Sequence, residues 1–214
     1  IADGGIRGRL HETTVIHTLG RIPPERVVVV GLGPAGEFDL SRVRTCAGAA
    51  ARAARRSGAR TIATIVHGAG IGGLDARAVA EGTALGLYRY EGLRSEPDED
   101  NPGVVDGVTV VEWAADKLSA VRAGVAEGAV LAEAANWARD AVNTPANMCT
   151  PRDLARMAEE MAAEAGLEVQ VMEEEEIRRL GMGCVLAVAR GSEEPPRVIV
   201  LRHRGGRGGG RGPL

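Results

Sequence analysis

The residues best able to do chemistry in this chain are two glycine-rich stretches, each following a β-branched run. Gly31-x-Gly33-x-x-Gly36 comes directly after Val27–Val30. In that spelling, glycines let a pyrophosphate approach a helix N-terminus. Two features favour a plain strand-to-helix turn instead. The helical pattern starts only after Phe38-Asp39-Leu40, and the next strand pattern ends in Val66-His67, with no acid to hold a ribose. His67 with Gly68, Gly70, Gly72 and Gly73 could cradle an anion through backbone amides. It lacks the Lys-Ser/Thr of a P-loop, and no neighbouring serine, cysteine or second histidine completes a nucleophile pair. A structural turn is the favoured reading here too.

Other reactive residue types fail on spacing. Glu173–Glu176 are consecutive on a helix pattern, so their carboxylates fan out and cannot converge on one ion. His11, His17, His67 and His203 form no i,i+4 pair and no H-E-x-x-H. Cys149 has no basic residue at a spacing that would activate it. Arg202 to Arg211 resembles an RGG tract, but it is short and holds no aromatic residue, which favours a loop. The residues therefore nominate no catalytic, no metal-binding and no cofactor-binding side chain.

The totals frame this. The chain has 214 residues, 44% of them hydrophobic, and only five are aromatic, so the core must be built from Val, Leu, Ile and Ala. A net charge of -3 offers no global attraction to nucleic acid or to an anionic membrane. Cys46, Cys149 and Cys184 are odd in number and far apart, which suits a reduced, cytoplasmic setting rather than a disulfide framework. No apolar run reaches the roughly 18 residues of a membrane span, and no signal-peptide pattern opens the chain. The first residue is Ile1 rather than Met, which sets the expectation that initial residues are missing.

The elements that must position these residues read as an alternation. Strands are expected at Glu12–Thr18, Val27–Val30, Thr61–Val66 and Val104–Glu112, the second and third buried on both faces. Helices are expected at Ser41–Ser57 and Asp75–Tyr88. A long helix is expected at Ser119–Val142, with Val121, Val125, Ala129, Ala132, Ala135, Ala138 and Val142 as its apolar stripe. Pro151–Ala165 is helical, Leu167–Met172 a strand, Glu173–Leu180 a short helix, and Cys184–Ala189 and Val198–Leu201 two more strands. Alternating strands and helices predict an α/β architecture with a largely parallel sheet.

Asn143-Thr144-Pro145-Ala146-Asn147-Met148-Cys149-Thr150-Pro151 is a helix stop, a bridge and a helix start. Pro145 ends the first helix, Thr150 caps the next, Pro151 suits its first position, and Asp153 stands where a capping-box acid would. The spelling N-T-P-A-N-x-x-T-P resembles the entry to the catalytic domain of the leucyl aminopeptidase family, the M17 peptidases. Val28–Gly33 resembles that family's V-G-L-G strand and turn, and Ala135–Pro145 its A-x-x-x-R-D-L-V-N-T-P helix end, with Ala141 in place of Leu. Leu180–Ser192 is similar to its L-G-M-G-x-L-L-A-V-x-x-G-S stretch and Pro195–Leu201 to its P-P-R-L-I-V-L strand.

The resemblance implies a macrodomain-like N-terminal α/β domain over 1–118. A linking helix over 119–142 and the truncated beginning of a zinc-peptidase-like α/β/α catalytic domain over 143–214 would follow. It also implies a hexameric cytoplasmic metalloexopeptidase that releases N-terminal residues from peptides with two divalent ions (Mn, Zn or Mg). The family's ligands come from V-G-K-G-x-x-x-D, a later Asp and N-T-D-A-E-G-R. Here the single lysine is Lys117 and the last aspartate is Asp153, so no ligand carries over and this chain alone is expected to be inactive. Two other readings stay open. One is a macrodomain-like module holding a nucleotide or ADP-ribose, and the other is an Arg/Gly-tailed nucleic-acid-binding fragment.

Overall fold

Short β-branched runs form five-residue strands here, and they pair two by two. A computed structural model describes residues 5–68, 75–93 and 103–205. The chain divides into two units, 1–140 and 141–214.

In the first unit β1 (Thr13–His17) runs antiparallel to β2 (Arg26–Val30), with Thr13 opposite Val30 and His17 opposite Arg26. The buried Thr18 hydroxyl donates to the Pro24 carbonyl at 2.7 Å and ties off the connection. Helix α1 (Leu40–Arg56) is capped by Asp39, whose carboxylate accepts from the Arg42 amide at 2.8 Å. Strand β3 (Thr61–Ile65) pairs in parallel with β4 (Gly107–Val111), and Arg60 clasps Asp106 with two hydrogen bonds of 2.7 and 3.0 Å beside that pairing. Helix α2 (Ala76–Leu87) is capped by Asp75, and α3 (Leu118–Asn143) completes the helices.

Glycines set the helix packing. A Cβ on Gly86 would lie 2.5 Å from the Gly48 Cα, and one on Gly48 would lie 2.9 Å from the Gly82 carbonyl oxygen. A Cβ on Gly82 would overlap the backbone of Arg44. Helices α1 and α2 therefore touch backbone to backbone. Gly124 and Gly128 do the same for α3 against the first turns of α2. The core is accordingly small-sided: Val43, Ala47, Val66, Ala76, Ala78 and Val79 are buried, with Phe38, Val121 and Val125 packed against them.

In the second unit α4 (Pro151–Ala165) buries Ala155, Ala158 and Ala162 and ends at Gly166, which takes the left-handed conformation at φ 67°. Strand β5 (Glu168–Met172) runs antiparallel to β6 (Val198–Arg202), and α5 (Glu174–Arg179) and α6 (Gly183–Ala189) lie between them in sequence. Ile177 is fully buried at the centre of this unit.

The α/β class stands, but four details differ from the sequence expectations. Among the described residues two of the three strand pairs are antiparallel, not parallel. The strands are not buried on both faces: β2 is half-buried throughout, and β3 alternates, with Ile65 63% exposed. Cys184–Ala189 is the helix α6, not a strand; a short apolar run carries no period to separate the two, and its alanines suit a helix. On α3 the buried residues are Gly124, Gly128 and Ala132, whereas Ala129, Ala135, Ala138 and Val142 face solvent. There the close approach of α2 selects small residues rather than apolar ones.

Candidate functional site

At the first glycine loop, the need for glycine is met inside the chain. A Cβ on Gly31 would overlap the Arg9 carbonyl oxygen, and the Gly31 amide donates to the Glu12 carbonyl at 2.7 Å. Gly33 has φ 74°, and its amide donates to the Gly8 carbonyl at 3.1 Å. Gly36 lies in a 3-10 turn at Ala35–Glu37, and α1 starts only at Leu40. Gly31 and Gly33 thus serve a turn packed on the 8–12 segment, and open space surrounds Gly36. Cys46, buried beneath it, points its thiol at the Gly31 carbonyl at 3.6 Å, and burial pushes that thiol's pKa up.

His67 lies two residues beyond the end of β3 and is 9% exposed. Its Nε2 lies 3.2 Å from the Thr64 hydroxyl, while its Nδ1 is buried without a hydrogen-bond partner. Burial pulls its pKa below the usual histidine range. It lines a 290 Å3 cavity walled by valines of β2, alanines of α1 and residues 61–64 of β3. Gly68 takes φ 75°; Gly70, Gly72 and Gly73 lie outside the described residues.

The glutamate run disperses over separate arginines. Glu173 faces Arg197 at 3.3 Å, Glu174 pairs with Arg178 at 2.7 Å and Glu176 with Arg179 at 3.5 Å. His11 bonds Thr45 at 2.8 Å, while His17 and His203 are exposed. Cys46, Cys149 and Cys184 are all free thiols. Arg202 is the last residue of β6, and residues 206–214 lie outside the described set. Among the described residues no three His, Cys, Asp or Glu side chains come together as a metal cluster.

The junction forms as its spelling dictates. Helix α3 ends at Asn143, and the amides of Met148 and Cys149 both donate to the Pro145 carbonyl, at 2.8 and 2.9 Å. Thr150 then caps α4. Its amide and hydroxyl donate to Asp153 Oδ2 at 3.1 and 2.7 Å, and its hydroxyl oxygen accepts from the Asp153 amide at 3.4 Å. One feature went unread in the sequence. Arg44, Arg52 and Arg56, which look like the solvated side of α1, line a groove beside the α1–α2 contact. Their four- and eight-residue spacing, with Gly48 between, was the available signal.

An α/β unit of small strands followed by a capped junction and a second α/β unit defines a class of two-part proteins. Comparison with known proteins gives the family. The model of the cytosol aminopeptidase family's N-terminal domain matches residues 1–97, and that of its catalytic domain matches residues 136–211. The chain belongs to the cytosol aminopeptidase (M17) family. It is 38% identical over 208 residues to a probable cytosol aminopeptidase of Alkaliphilus metalliredigens, covering 95% of this chain and 41% of that protein. It is 39% identical over 202 residues to that of Geobacter sulfurreducens, covering 94% and 40%. The chain thus spans about two fifths of the length of these relatives.

Among solved structures, the bottromycin maturation enzyme BotP matches with TM-score 0.76 at 38% identity, over 94% of this chain and 42% of that one. A manganese complex of BotP matches with TM-score 0.72 at 35% identity, over 94% and 41%. A mutant of tomato leucine aminopeptidase matches with TM-score 0.75 at 26% identity, over 94% and 39%. Among the described residues no helix is long and apolar enough to cross a membrane.

Proposed function

We propose that this chain forms part of a cytoplasmic leucyl aminopeptidase that removes N-terminal residues from peptides and assembles as a hexamer. The carrying observation is that both family models match this one chain in order, the catalytic-domain match running through the capped junction at Asn143–Pro151. In this reading residues 1–118 are a macrodomain-like domain, 119–142 the linking helix, and 143–214 the beginning of the catalytic domain. The manganese complex of BotP supports divalent metal chemistry for the assembled enzyme. The described residues do not fit such a centre, because no cluster of ligands forms among them. No catalytic step is therefore assigned to these side chains, and the 214 residues alone are proposed to be inactive.

A chimera tests this. Residues 1–214 would be joined in place of the matched region to the remaining polypeptide of the Alkaliphilus metalliredigens relative. The expected result is release of leucine from a leucine anilide, dependent on manganese and abolished by a chelator, with none from residues 1–214 alone. A chimera that folds and assembles yet hydrolyses nothing would overturn the assignment, and so would turnover by residues 1–214 alone at contaminant-free purity.

A further inference from the structure

Helix α1 carries Arg44, Gly48, Arg52 and Arg56 at four-residue intervals, so they share one face. That face lines a groove of 620 Å3 bounded on one side by His11 and Thr13 and on the other by α2 near Gly82 and Gly86. The glycine contacts let the two helix backbones meet and fix the wall without side-chain freedom. The volume falls in the range of small-molecule sites, about 300–1,000 Å3.

Charge in the groove is one-sided. Among the described residues no carboxylate lines it. Arg44 is neutralised by Glu81 at 2.6 Å, and Arg42 turns away to Glu37. Arg52 and Arg56 make no ion pair or hydrogen bond among the described residues. The hydroxyls of Ser41 on α1 and Thr13 on the facing side add neutral polar groups, while that of Thr45 is engaged by the Arg42 carbonyl and His11. A helix C-terminus favours cations within its last turn, which accounts for Arg56 but not for Arg52 a turn earlier.

We propose that this groove binds a small phosphate-bearing anion, with the phosphate between Arg52 and Arg56 and the remainder of the ligand lying along the α1–α2 glycine contact. Guanidinium groups match phosphate oxygens in a two-pronged geometry, which lysines would not reproduce.

Calorimetric titration of the full 214-residue chain with inorganic pyrophosphate and with ADP, at about 50 mM salt, tests it. Both probes are expected to bind, and the double variant R52A/R56A to lose about a hundredfold in affinity for each. Arg21→Ala, outside the groove, should leave both affinities unchanged. Both groove arginines are exposed, so the double variant should fold, which an unchanged circular dichroism spectrum would verify. Absence of binding by either probe would overturn the proposal. So would equal binding by the folded double variant, or binding of ADP without pyrophosphate, since the phosphate would then not be the anchor.

Discussion

The guanidinium of Arg139 on α3 lies 3.7 Å above the ring of Tyr88 at the end of α2. Arg139 also donates to the Leu85 carbonyl at 3.1 Å, and the Tyr88 hydroxyl donates to Asp140 at 2.7 Å. One side chain thus covers an aromatic face and satisfies a helix-end carbonyl. Arg139→Ala should destabilise the first unit by about 1–2 kcal/mol, the sum expected of a half-buried cation–π contact and a charged hydrogen bond. Arg139→Lys should recover less than half of that, because an ammonium cannot stack flat and reach the carbonyl together. Urea melts of the three proteins would measure both numbers, and an alanine variant as stable as the parent would remove the clamp from the account.

The glycine contact between α1 and α2 makes a sharper prediction. Alanine is a better helix former than glycine by about 1 kcal/mol, so propensity alone favours Gly82→Ala. Sterics decide otherwise, since the new Cβ would overlap the Arg44 backbone, which cannot step aside as a flexible side chain would. Gly82→Ala should therefore cost about 2–3 kcal/mol. Gly183→Ala in α6 is the control: nothing stands within 4 Å of its Cβ and its φ is not positive, so it should be neutral or slightly stabilising. Opposite signs in parallel thermal melts are the expected outcome.

These positions also mark how much was legible in the sequence. The start and end of α4 were readable because capping is local: Thr150 and Gly166 act on residues a few places away, whereas the Asp39 and Asp75 caps emerged only in the structure. The delay between Gly33 and the start of α1 was readable for the same reason. The α3 face was not, because its burial depends on a partner helix, and Gly124 and Gly128 carry no hydrophobic signal. Strand pairing was not readable either, since a four-residue run such as Val27–Val30 does not say which edge meets which neighbour. For the site, the spacing of His, Asp and Glu offered no ligand set, and the groove arginines were hidden by their resemblance to ordinary surface charge.

The capping box at the junction predicts a pH signature. Two hydrogen bonds from Thr150, first from its hydroxyl and then from its amide, hold the Asp153 carboxyl below the usual range, with Arg156 and Arg152 adding to the effect. A carboxyl whose folded pKa is depressed stabilises the fold above its unfolded pKa and loses that contribution as pH falls through the folded one. Thr150→Ala should cost about 1 kcal/mol at neutral pH. It should also flatten the acid limb of stability below about pH 4. Denaturant midpoints taken from neutral pH to about pH 3 would show both; an acid limb as steep as the parent's would mean that Asp153 is not held by Thr150.

His67 sets a second, distinct acid limb. Its imidazole is buried beside the Thr64 hydroxyl, and desolvation alone depresses its pKa. Because the folded pKa lies below the unfolded value near 6.5, the unfolded chain takes up the proton first. Stability from this residue is therefore complete above about pH 6.5 and is lost as pH falls toward the folded pKa. His67→Gln places an amide atom near the position of Nε2, within reach of Thr64, but cannot titrate. The variant should be less stable near neutral pH, since it trims a buried side chain, yet its stability should change less than the parent's between about pH 7 and about pH 5. Histidine-selective NMR titration of the parent would assign the midpoint directly. A His67 midpoint above 6.5, or equal slopes for parent and variant over that window, would contradict a neutral, buried imidazole just beyond β3.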